Sequence, residues 1–150
     1  MKIRVLLFSV LCAFLAAQST RAADRPHRDD EKQTELGKHM EKMGHAFRAL
    51  GKEVADPARN EDSLKQVEII RTNAAAGLNL KPEKTADLPE DQRAKFVADY
   101  QKHMKSFLAD VDKLEAALKA GNNQDAEALV KTLKKDMGAG HKEFRKKHDM

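Results

Sequence analysis

The strongest constraint on this chain is a run of apolar residues at alternating steps of four and three: Leu36, Met40, Met43, Phe47, Leu50 and Val54. Steps of three and four keep side chains on one face of a helix. Sustained over five steps, the alternation marks a seam packed against other helices rather than the face of a solitary surface helix. One helix cannot bury such a seam by itself. The rest of the chain supplies three partners with similar stripes. Leu64, Val67, Ile70, Ala74 and Leu78 form the second. Phe96, Tyr100, Met104, Phe107, Val111, Leu114 and Leu118 form the third. Val130, Leu133, Met137, His141, Phe144 and His148 form the fourth.

The punctuation between the stripes sets the topology. Asp56-Pro57 ends the first helix, because the residue before proline is driven out of the helical region. Residues 79–88 hold Pro82 and are followed by Pro89, which suits the first turn of the next helix. Gly121-Asn122-Asn123 is a helix stop, a turn and a helix start in three residues. So short a turn makes its two helices antiparallel neighbours. The expected helices are 31–55, 60–77, 89–120 and 123–147, with no strand-like alternation. The fold class is all-α: an up-down-up-down antiparallel four-helix bundle over residues 33–148.

Residues 1–22 read as a secretory signal peptide. Lys2 and Arg4 make a basic start, Val5 to Ala17 is an apolar run short for a bilayer, and Thr20-Arg21-Ala22 offers a cleavage site. Residues 23–32 are polar, contain Pro26 and read as a disordered leader. Cys12, the only cysteine, lies inside the signal, so the mature chain should have no disulfide and no cysteine metal site. The 28 basic residues, less Lys2, Arg4 and Arg21, leave 25 against 24 acidic ones, a net charge of +1. That near-neutral mixture carries no electrostatic footprint for nucleic acid. The expected location is the periplasm, with no membrane association once the signal is removed.

Two residues in the stripes carry possible chemistry. In an up-down-up-down bundle the first helix starts at the end where the fourth finishes. Met40 and His141 then each lie roughly 9–13 Å from that end at ~1.5 Å rise per residue. Both are on stripes expected to face the core. A thioether and an imidazole at one level suit the two axial positions of haem iron, an arrangement used for electron transfer. Phe96, Tyr100, Met104 and Leu78 fall at the same level as pocket walls. His39, His45 and His103 lie off the main seams and read as exposed, although His39 or His45 would displace Met40 if the first helix rotated.

These residues also carry a family resemblance. Leu36-Gly37-Lys38-His39-Met40-Glu41 and Gly140-His141-Lys142-Glu143-Phe144-Arg145 resemble the opening and closing segments of the soluble cytochrome b-562 family, relatives of the cytochrome c-prime bundles. The resemblance covers residues 36–147. It implies that Met40 and His141 are axial ligands, that Arg145 lies near the haem edge, and that Tyr100 and Met104 stand where members place aromatic pocket residues. Met137 and Gly140 stand where c-type relatives carry the two attachment cysteines, which leaves only noncovalent haem b.

The resulting reading is a periplasmic b-type haem protein carrying single electrons. It is not an enzyme: the sequence holds no cysteine nucleophile after the signal, no glycine-rich phosphate loop and no His-Glu-x-x-His element. Its partner is an unidentified redox protein, and the expected assembly is a monomer or weak dimer. The alternative is a haem-free periplasmic bundle acting as a binding, stress or chaperone protein. A gas-binding haem bundle is a third reading and requires that Met40 not coordinate.

Overall fold

The computed structural model describes residues 33–146. The expected signal peptide and leader, and His148, lie outside the described residues. Four α-helices follow one another: α1 Glu35–Glu53, α2 Asn60–Leu78, α3 Glu90–Lys119 and α4 Asn123–Phe144. Among the described residues there is no strand, and no helix is long and apolar enough to cross a membrane. Short 3-10 turns, Pro57–Arg59 and Glu83–Asp87, occupy the first two connections. Each helix packs on the next and α4 returns to α1, which gives the expected all-α four-helix bundle.

The ends of the helices have local causes. α1 starts later than the expected residue 31 because Thr34 caps it, its hydroxyl accepting from the Gly37 N–H at 3.1 Å. After α3, Gly121 takes a positive φ of 71°, where a side chain would be strained. Its N–H donates to the Leu118 carbonyl, and the Asn122 N–H donates to Ala117. These are the paired bonds of a left-handed helix stop. The Asn122 side chain then accepts from the Asp125 N–H and opens α4. α4 ends at Phe144 rather than 147, with Arg145 already extended.

The core runs the length of the bundle through Phe47, Leu50, Ile70, Val111, Leu114, Leu118 and Leu133, all buried. At the α1–α2 and α3–α4 turn end the two helical hairpins are stapled by an amide pair. Asn123 Nδ2 donates to Asn60 Oδ1 at 2.7 Å and to the Val54 carbonyl at 2.8 Å. The opposite end holds the α2–α3 connection and both candidate ligands. Lys84 Nζ donates to the Glu143 carbonyl at 2.6 Å, and Lys146 pairs with Asp87 at 3.1 Å. These bonds tie the 3-10 turn Glu83–Asp87 to the end of α4 and close that end of the bundle.

Candidate functional site

α1 brings Met40 in on its sixth residue, partly buried against the core. The methionine methyl lies beside Gly77 in the last turn of α2, where a β-carbon would be 3.5 Å from Met40 Cε and 3.2 Å from Leu36 Cδ1. The same β-carbon would be 3.6 Å from the Tyr100 hydroxyl of α3. That hydroxyl donates to the Gly77 carbonyl at 2.8 Å. Three helices thus converge on one glycine.

Across the interior, Phe144 of α4 is buried in a cluster of rings from α3. It stands 5.4 Å from Phe96, 5.5 Å from Tyr100 and 5.6 Å from His103 between ring centroids. The tilted and edge-on arrangements are those that aromatic quadrupoles favour. Lys84 lies over the Phe96 ring, 5.7 Å from its centre. Met104 is buried one turn deeper, and Leu78 is partly buried against the core.

His141 is not in the core stripe where the sequence spacing puts it: its side chain is exposed. The inward-facing series on α4 is Ala126, Val130, Leu133, Met137, Gly140 and Phe144, at steps of four, three, four, three and four. Gly140 holds the inward position because His103 lies against it; a β-carbon there would be 2.7 Å from His103 Nε2. His141 is one residue on, about 100° round the helix. Lys134, seven residues earlier on the same flank, reaches over Gly51 of α1. That flank of α4 therefore faces α1. Gly44 and Gly51 stand seven apart on one flank of α1, and Met40 is one turn before Gly44. His141 thus lies at the rim of the α1–α4 seam, whereas the Met40 methyl rests beside Gly77 of α2 and near Tyr100 of α3, at the same end of the bundle. This seam is the least closely packed of the four between neighbouring helices.

Electrostatics leave the imidazole available as a ligand. Partial burial first, and the Arg145 guanidinium second, hold His141 below the usual histidine range. Neutral imidazole is the form that binds a metal. Arg145 itself is exposed at the end of α4. Tyr100 shows the opposite effect of burial, which pushes its phenol up to about 12.

Two other histidines also differ from the sequence expectation. His39 is partly buried, and its Nδ1 is 2.9 Å from Asn73 Oδ1. The Asn73 amide nitrogen donates to the Ile69 carbonyl, so its oxygen faces the histidine and the imidazole proton lies on Nδ1. This bond fastens His39 to α2 and opposes its replacing Met40. His103 is partly buried against Phe144 and Gly140. His45 is exposed, as its position off the seam indicates.

The residues fit a noncovalent planar cofactor. A soft sulfur and an imidazole lie at one end of the bundle beside aromatic and aliphatic side chains, and Met137 and Gly140 offer no thiol for attachment. The fold defines a class, the antiparallel four-helix bundles. The chain belongs to the cytochrome b562 family, whose family model matches residues 35–145. None of the curated proteins compared matches the chain. Membership of the family points to a b-type haem protein that carries electrons rather than to an enzyme.

Tyr100 provides an internal check on this site. It is the only tyrosine, and the chain has no tryptophan, so near-ultraviolet titration and fluorescence report on it alone. An unfolded tyrosine ionises near 10 and this one near 12, so the folded chain resists losing the proton. Its contribution is complete below pH 10 and is lost as pH rises from 10 to 12. The loss should reach about 2–3 kcal/mol at pH 12. Tyr100→Phe should remove this part of the alkaline fall in stability, measured by urea denaturation across that range.

Proposed function

We propose that the chain is a periplasmic carrier of single electrons that binds haem b noncovalently, with Met40 and His141 as its axial ligands. Bound there, haem b would supply a one-electron iron couple. Met40 contributes a soft sulfur, a ligand that raises the reduction potential. His141 contributes a ring nitrogen kept deprotonated near neutral pH. If Met40 and His141 both hold the haem, no position on the iron would be left for substrate, which suits a carrier better than an enzyme or a gas-binding protein. Phe96, Tyr100, Met104 and Leu78 line the inner side and exclude water. Arg145, exposed one turn beyond His141, is placed to pair with a carboxylate at the cofactor edge. The partner is a redox protein, and the working form is a monomer or weak dimer.

What supports this reading is a sulfur and an imidazole carried at the same end of the bundle, in a chain of this family. A second reading, a haem-free binding or stress protein, is favoured by the buried Phe144 cluster, which packs this end with protein side chains alone. One experiment separates the two. The purified chain is titrated with haem, its oxidised and reduced absorption spectra are recorded, and its melting is followed by circular dichroism. The carrier should give a six-coordinate low-spin spectrum and gain about 4 kcal/mol of stability when free haem reaches a thousand times its dissociation constant. A chain that folds to the same helical content and takes up no haem overturns the proposal.

A further inference from the structure

We propose that Gly77 and Tyr100 form a ledge that sets the position of the Met40 thioether, and so act as positioning residues for the methionine ligand. This inference rests on the ligation proposed above.

Gly77 is the point at which α1, α2 and α3 approach one another near the candidate ligand. A β-carbon on it would press on Leu36 Cδ1 at 3.2 Å, closer than ordinary contact, and reach Met40 Cε at 3.5 Å. The missing side chain therefore leaves the space in which the end of Met40 rests. Its carbonyl is held from two directions. The Leu80 N–H donates to it at 3.1 Å from the turn after α2, and the Tyr100 hydroxyl donates at 2.8 Å from α3. Tyr100 is 3 % exposed, so water does not compete for that bond.

The ring behind the hydroxyl is fixed as well. Phe144 packs edge-on against Tyr100 at 5.5 Å. On the α1 side, the His39–Asn73 bond holds the neighbouring residue to the same face of α2, four positions before Gly77. Met40 thus has its backbone fastened on one side and its methyl resting on a ledge fixed on the other. A methionine side chain has three soft torsions. Restricting them before the ligand binds leaves less entropy to lose on coordination. A glycine is otherwise a poor choice within a helix, where alanine is more favourable. Gly77→Ala should therefore not harm α2 itself, and losses at the site can be assigned to the crowded contacts.

The test compares Gly77→Ala, Gly77→Val and Tyr100→Phe with Asn123→Ala, which weakens the far end of the bundle and touches none of these groups. Two readouts are taken on the full chain. In the haem-free chain, the carbon-13 resonance of the Met40 methyl reports its surroundings. In the haem-loaded chain, the absorption spectrum and reduction potential report the sulfur–iron bond. Tyr100→Phe and Gly77→Val should shift the Met40 methyl resonance, and Gly77→Ala should shift it less. Gly77→Val should weaken methionine ligation by about tenfold to a hundredfold, the usual range for groups that orient a metal ligand. It would appear as a high-spin fraction and a lower potential. Asn123→Ala should lower the melting temperature and leave both readouts at the Met40 site unchanged. The proposal is overturned if Gly77→Val and Tyr100→Phe move the methyl resonance no more than Asn123→Ala does. If the parent chain binds no haem, the ligation proposal falls, and the haem-free resonance still decides whether the ledge exists.

Discussion

His141→Ala is expected to abolish the low-spin haem spectrum while leaving the haem-free chain as stable as the parent. The two halves of this result have separate physical causes. The imidazole is exposed on the rim of the α1–α4 seam and fills no space in the core. Substitutions at such positions usually change stability by no more than about 0.5 kcal/mol. The same ring is the candidate nitrogen ligand, and its removal takes away a whole coordinate bond. Altering a residue that only orients a ligand costs about tenfold to a hundredfold in metal affinity. Loss of the ligand itself should exceed about a hundredfold. Haem titration followed by absorption, with thermal melts of the haem-free chain alongside, measures both. Met40→Ala should behave differently, leaving one axial nitrogen and a high-spin, weaker-binding form. If His141→Ala keeps a low-spin spectrum and an affinity within about tenfold of the parent, another side chain holds the iron and the assignment is wrong.

The fold was legible because its signals are redundant. Each helix repeats its apolar step five or more times or ends at a Pro, Gly or Asn whose backbone preference agrees. One misplaced residue does not change such a pattern. The register of a single side chain is less well determined. On α4 the step after Met137 can be three or four, and the step into Phe144 can be four or three. Gly140 continues the strict alternation and His141 interrupts it with two successive steps of four, yet both spacings keep a residue near one helix face. A count of apolar residues passes over glycine and selects histidine. The deciding contact is made by His103, which lies against Gly140 from a different helix and turns His141 toward the rim. That contact comes from α3, and within α4 only the strictness of the alternation favours Gly140.

The same limit explains His39. Its position off the main seam is correct, yet it is partly buried, because Asn73 stands opposite on α2 and accepts from its ring. The available signal for a cross-helix polar partner was Asn73, an amide beside Ala74 and three residues after Ile70 of the α2 stripe; the structure shows it buried. Gly77 was recognisable as a small residue at the right end of α2, but its role emerges only when the Leu36, Met40 and Tyr100 atoms are in place around it. That Met40 and His141 lie at the same end of the bundle was legible, because topology brings the start of α1 and the end of α4 together. What topology could not supply was which of them faces inward.

Phe144→Ala should show the reverse pattern to His141→Ala, with a large loss of stability and a secondary loss of haem. Phe144 is buried, and its ring meets Phe96, Tyr100 and His103 within 5.4–5.6 Å. Replacing a buried phenylalanine by alanine costs about 3–5 kcal/mol from lost burial and the cavity left behind. The lower end applies here, because Phe144 is the last residue of α4 and the chain beside it can relax. A cost of about 3 kcal/mol should lower the melting temperature by roughly 10–15 °C in a bundle of this size. The damage should be local as well as global. His141 sits one turn before Phe144, and this aromatic contact holds the final turn of α4 against α3. Without it that turn should fray, and amide hydrogen exchange should speed up there before it does at Leu133. Haem affinity then falls because the histidine must be ordered before it can bind, a cost that Phe144→Leu should largely restore. Should Phe144→Ala melt with the parent, or fray no more than His141→Ala, then the ring cluster does not anchor the end of α4, and His141 owes its place to something other than the packing of its own helix.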